Sequence, residues 1–183
     1  MPSSLESMLT TTSLDRLTLE PFSTAEPLPA ETHQRLLRFP LGAQESALLP
    51  LAEIAEILRL DVGEILSVPE MPSCVLGICN WRGAMLWLVD LNELLGFSPL
   101  LQPEQTLTTL SIIVIQVDGQ PLGLGVPQVN DVELHDWHEL QPVVNNIFPP
   151  KLMPFILGYL PQDRGVVLDV AAIAQFPLWQ VSR

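Results

Sequence analysis

The chain has 183 residues, 48% of them hydrophobic, which is enough to bury a core, and a formal net charge of −13. With 21 acidic residues against 8 basic ones, it lacks the clustered Lys and Arg that phosphate backbones require, so nucleic acid is excluded as a partner. The same balance argues against an anionic membrane surface, and no apolar run approaches the roughly 20 residues that a membrane-spanning helix needs.

Residues 1–33 are rich in Ser, Thr, Pro and Glu, with leucines at Leu5, Leu9, Leu14, Leu17 and Leu19. They read as a flexible arm with room for a short docked segment. No basic stretch leads an apolar run there, so no signal peptide is expected, and the default location is the cytoplasm. The structured region, 34–183, begins with two apolar runs, 36–41 and 46–51, around Gly-Ala-Gln-Glu, a hairpin signal. Residues 52–60 fit either a helical turn or a strand.

CVLGICNW (74–81) and AMLWLV (84–89) flank Arg82-Gly83 and predict a second hairpin. Trp81 and Trp87 are expected on one face of it. Cys74 and Cys79 lie five residues apart, so on a strand their side chains point to opposite faces and do not pair. Asp90 reads as an N-cap of the short helix LNELL, because its carboxylate can accept from the free N–H groups of the first turn. Gly96 stops that helix.

A further hairpin, 110–117 with 122–126, turns at Asp118-Gly119, and 128–134 is expected to continue it. Residues 136–150 form a Pro-flanked connection. Strands 155–160 and 165–170 follow, around the turn Pro161-Gln162-Asp163-Arg164, and 171–176 ends as a short helix. Two stretches share an order: Pro72, Leu76-Gly77, Arg82-Gly83 and Asp90, then Pro154, Leu157-Gly158, Arg164-Gly165 and Asp169. This weak repeat suggests two β-lobes, 36–97 and 108–178, each of about five short strands, a count that suits a small closed barrel.

Catalytic signals are sparse. There is no Walker, GxGxxG, GxSxG or CxxC motif, and Glu53 with Glu56 reads as a solvated face. His135 and His138 are spaced for a metal, yet lack the further ligands a structural site takes. A metal-binding or small-ligand-binding β-barrel is the alternative to an interaction module, and no cofactor is implied. Arg82 stands out: a chain with so few cations places one in a tight turn, and Arg is enriched among residues that dominate binding energy.

The block Gly77, Asn80, Arg82-Gly83, Val89-Asp90-Leu91 resembles the CheW-like adaptor family of chemosensory signalling. The resemblance extends over about 36–178. It implies an all-β fold with short helices, in which two five-stranded SH3-like barrel lobes share a hydrophobic core. It implies a non-catalytic scaffold coupling the tip of a methyl-accepting chemoreceptor to the regulatory domain of a CheA-type histidine kinase, in chemotaxis, phototaxis or pilus motility, and recruited to membrane receptor arrays without inserting in the bilayer. The family's receptor and kinase contacts carry over onto Ile54, Glu56, Gly77, Arg82, Met85, Ile112 and Val129. On this reading an apolar groove carries Arg82 at its rim. Val126-Pro127-Gln128 departs from the family pattern, and Pro127 is expected to break its strand, since Pro has no N–H for a ladder.

Overall fold

The computed structural model describes residues 32–104, 107–144, 148–161 and 165–177. The arm 1–31 and residues 162–164 of the last turn, Arg164 included, lie outside the described residues. The strands are β1 (His33–Leu41), β2 (Glu45–Pro50), β3 (Ile54–Asp61), β4 (Val75–Trp81), β5 (Ala84–Asp90), β6 (Thr109–Val117), β7 (Gln120–Val126), β8 (Val132–Asp136), β9 (Ile156–Leu160) and β10 (Gly165–Leu168); the helices are α1 (Leu91–Leu94) and α2 (Val170–Gln175). No helix among the described residues is long and apolar enough to cross a membrane.

Two five-stranded sheets result, in the orders β8-β1-β2-β10-β9 and β3-β6-β7-β5-β4. They are not the contiguous halves expected from the repeat. The hairpin β1–β2 joins the C-terminal strands, and the second sheet is built from β3 to β7 alone. The break at Pro127 makes the switch possible. β7 ends at Val126, and the chain then crosses to the other sheet, where Arg38 and the 130–131 segment exchange backbone bonds of 2.8 and 2.9 Å. So 128–134 does not extend the β6–β7 hairpin; β8 runs antiparallel to β1.

The repeat is real at the level of joints. Each sheet holds one parallel pair, β5 with β7 and β10 with β2. One strand of each pair, β5 and β10, leads into an aspartate that caps the next helix: Asp90 accepts from the Glu93 N–H and Asp169 from the Ala172 N–H, both at 3.0 Å. Asp90 also accepts from the Leu100 N–H at 2.7 Å and is buried. Burial raises its pKa, and those backbone donors act against the rise. Gly96 ends α1 at φ +90°, the left-handed state that favours glycine at this place.

Period-2 alternation distributes the side chains among three clusters. Phe39, Leu49, Val89, Ile113, Leu124 and Val166 form the core shared by both sheets. Leu60, Leu86, Leu88, Ile112 and Val114 fill the second sheet, and Leu36, Leu48, Leu160 and Val167 fill the first. β6 is therefore buried on both faces, which is why it reads as an unbroken apolar run. Cys74 faces the shared core and Cys79 the second sheet's interior; both are free thiols.

Candidate functional site

The β4–β5 hairpin closes through Arg82 at φ +51° and Gly83 at φ +80°. Two left-handed central residues make a type I′ turn, whose twist matches the flanking strands but which normally takes Asn, Asp or Gly at its first position. The other hairpin of this kind obeys that preference with Asp118-Gly119. Arg82 does not, and left-handed backbone costs a residue with a Cβ about 1–2 kcal/mol. Its side chain is 66% exposed, so packing does not account for the choice.

Trp81 opposes Ala84 across the turn. Ala84, Leu86 and Leu88 share a face, so Trp81 packs on the interior of the second sheet while Trp87 packs on the shared core. The two tryptophans thus lie on opposite faces, which corrects the expectation of one face; pairing across the hairpin, and not spacing through it, decides the side.

Glu56 reaches the same place from β3. A register shift between Ile54 and Glu56 inserts Ala55 as a bulge. The bulge sends Ile54 to the shared core and Glu56 to the mouth of the second barrel. There one carboxylate oxygen, Oε2, accepts from Trp81 Nε1 at 2.8 Å and from Arg82 Nε at 3.1 Å, with Arg82 Nη2 at 2.9 Å. The Arg82 guanidinium also lies over the Trp81 ring, 4.9 Å from its centroid. Met85, on the same hairpin, is 74% exposed. Glu56, Arg82 and Met85, three of the seven expected contacts, thus stand at one exposed end of the second sheet, Trp81 joining Glu56 and Arg82 on one face of the hairpin and Met85 standing on the other.

The other four stand elsewhere. Ile112 is fully buried among Leu86, Leu88 and Val114; it has no surface to offer a partner, because β6 is covered on both sides. Gly77 is buried at φ +135°, and a Cβ there would come within 2.2 Å of the Leu66 carbonyl oxygen. Its close approach is internal: the absent side chain lets Leu66 exchange two backbone bonds with Ile78 and so cover the outer edge of β4. Ile54 and Val129 are half-buried against the shared core.

Among the described residues an apolar groove runs between α1 and α2, with Lys151 as its cation, and Arg82 is not one of its walls.

His135 and His138 do not converge. His135 bonds Glu133 at 2.7 Å, and His138 bonds Asp136 at 3.1 Å. Among the described residues no group of three or more His, Cys, Asp or Glu is placed to hold a metal. Glu133 also takes a two-pronged bond from Arg38, Nε to Oε1 at 2.6 Å and Nη2 to Oε2 at 2.8 Å, which holds its carboxyl below the usual range. Burial raises both thiols, Cys74 and Cys79, so neither is poised as a nucleophile.

Residues 35–177 match the model of the CheW-like domain family. A chemotaxis protein CheW of Rhizobium meliloti is 37% identical over 75 residues, 41% of this chain. That match spans 46% of the relative's own length. The crystal structure of the scaffolding protein TtCheW from Thermoanaerobacter tengcongensis superposes with a TM-score of 0.62 at 23% identity, over 75% of this chain and 89% of that one. This last likeness shows the fold: two β-lobes around a common core.

Proposed function

The chain belongs to the CheW-like domain family, and we propose from that membership and from the hairpin geometry that it is a non-catalytic signalling adaptor. It couples the tip of a methyl-accepting chemoreceptor to the regulatory domain of a CheA-type histidine kinase. It works from the cytoplasm within a membrane-associated array.

One observation carries the reading beyond the family: Arg82 occupies a strained turn position that does not favour it, exposed, and oriented by Glu56 and Trp81. Backbone strain held at an exposed cation is a common mark of a functional position. A guanidinium pinned on one side by a carboxylate keeps its remaining donors free of rotamer loss when a partner carboxylate or carbonyl arrives. Met85, exposed near the tip of the same hairpin, offers an adaptable apolar contact. Ile54 and Val129 add half-buried apolar surface near the shared core.

The test is co-sedimentation of the protein with a receptor signalling fragment and a kinase regulatory domain. Arg82→Ala is expected to weaken capture about 30-fold, the effect of losing a residue that dominates an interface, with an unchanged far-ultraviolet circular dichroism spectrum. Capture equal to that of the parent protein overturns the assignment of Arg82.

A further inference from the structure

The groove between α1 and α2 has no part in the adaptor reading. Its walls come from the segment before β4 (Ser73, Cys74), from α1 (Glu93, Leu94), from the segment leading into β9 (Lys151, Phe155) and from α2 with its exit (Ala172, Phe176). Its volume is about 620 Å³, inside the ~300–1,000 Å³ range of sites that hold drug-sized molecules. Cys74, Leu94 and Phe155 also belong to the shared core, so the floor is a firm apolar surface. Phe155 and Phe176 stand edge to face at 5.5 Å and form one end.

The charges are placed unevenly. The chain has a single lysine, Lys151, and it stands in this groove. Its stem lies against the α1 stop: a Cβ on Gly96 would meet Lys151 Cβ at 3.0 Å and Cδ at 3.3 Å. A substituted residue 96 would displace that stem, so the glycine serves the lysine's position as well as the helix end. Glu93 is the one acid among the described residues of the walls. Elsewhere a net charge of −13 repels anions.

We propose that this groove binds a small aliphatic monocarboxylate. A chain of roughly eight to ten carbons fits within the groove with room to spare; the alkyl tail lies on Leu94, Phe155 and Phe176, and the carboxylate pairs with Lys151. Glu93 sets the limit on affinity and excludes dianions. Because the walls come from both halves of the chain, an occupant ties α1 to α2.

The probes are octanoate, decanoate and octanol, titrated into isotope-labelled full-length protein and followed by amide chemical shifts. Shifts are expected at Cys74, Leu94, Ala172 and Phe176, with decanoate about fifteenfold tighter than octanoate, since each of its two further methylenes contributes roughly fourfold when buried. Lys151→Gln is expected to weaken octanoate about fivefold and leave octanol unchanged, and Glu93→Gln to tighten octanoate by a similar factor. Opposed effects of the two variants on octanoate, with octanol unchanged by both, report charge, because a fold disturbance at either residue would move both probes together. Absence of shifts in the groove at millimolar decanoate overturns the proposal. Equal responses of octanoate and octanol to Lys151→Gln overturn it as well. None of these readouts involves kinase or receptor, so failure here leaves the adaptor reading standing.

Discussion

The indole Nε1–H of Trp81 donates to Glu56 Oε2 at 2.8 Å, joining β4 and β3, the two outer strands of the second sheet. Side chains thus link the sheet's two ends at the mouth of the barrel. The bond is part-buried, so its net worth is that of an ordinary bond to a charged group, about 1.5 kcal/mol. Trp81→Phe keeps the apolar ring on Leu86 and Leu88 and removes the donor. A fall in unfolding free energy of about 1–2 kcal/mol is expected in urea titrations; a loss below ~0.3 kcal/mol would mean that the bond is replaced by water without cost.

Arg82 sets stability against binding. Its left-handed backbone costs about 1 kcal/mol or more, and an ion pair this exposed returns between ~0 and 1. Arg82→Gly removes both terms. Unfolding free energy is expected to stay level or rise by up to ~1 kcal/mol, while kinase and receptor capture drops as for Arg82→Ala. Gains of this kind at the expense of function are typical of strained interface residues. A destabilisation above ~1 kcal/mol would make Arg82 a structural residue.

The sequence announces this strained turn, and most local joints with it, because each depends on two or three residues. Arg82-Gly83 and Asp118-Gly119 turn hairpins, Asp90 caps a helix, Gly96 ends it, Pro127 stops a strand, and Cys74 and Cys79 part to opposite sides. Long-range choices are not announced. Alternation says which face a residue takes and not which strand lies beside it, so β1–β2 pairs with β8 and β10 where contiguity suggested otherwise. The bulge at Ala55 separates Ile54 from Glu56, and alternation alone places them together. Lys151 meets α1 across more than fifty residues of chain, a distance over which no pattern reads.

Gly77 and Gly83 both hold positive φ and differ in surroundings. Gly83→Ala meets nothing within 4 Å, so only backbone strain applies, about 1–2 kcal/mol. Gly77→Ala drives a Cβ into the Leu66 backbone, at 2.2 Å from its oxygen, and part of the 66–78 bridge must open. A loss of at least about 3 kcal/mol is expected. Amide exchange at Ile78, whose N–H donates to Leu66 at 2.9 Å, locates the damage. Equal costs for the two alanines would contradict the internal role of Gly77.

Ile112 and Met85 make the converse comparison. Ile112→Ala empties a fully buried site and is expected to cost about 3–4 kcal/mol, with binding per folded molecule unchanged. Met85→Ala removes a side chain that is 74% exposed, costs less than ~0.5 kcal/mol, and weakens capture by the partners. Thermal unfolding and co-sedimentation on the same samples separate the two outcomes.

Glu133 gives the fold a pH dependence whose sign is fixed by Arg38. The side chains of Arg38 and Glu133 are 13% and 30% exposed, and the two-pronged bond holds the Glu133 pKa below its ordinary 4.5. A lowered carboxyl contributes stability that is complete above its unfolded value and is lost as pH falls through its folded one. Glu133→Gln keeps the shape, leaves the Arg38 charge without its carboxylate, and is expected to cost about 2–3 kcal/mol at neutral pH. Asp90 works in the opposite sense: burial raises its pKa, so its contribution is fullest in acid and falls as pH rises through the folded value. Both proteins carry Asp90, so the difference between them reports Glu133 with the two partners bonded to it, Arg38 and His135. That difference is expected to shrink steadily as pH falls below 4.5 and the carboxyl takes up its proton. Urea midpoints at four pH values measure it. A difference that stays level through the acid range would show that the Arg38–Glu133 bond does not depend on ionisation of the carboxyl.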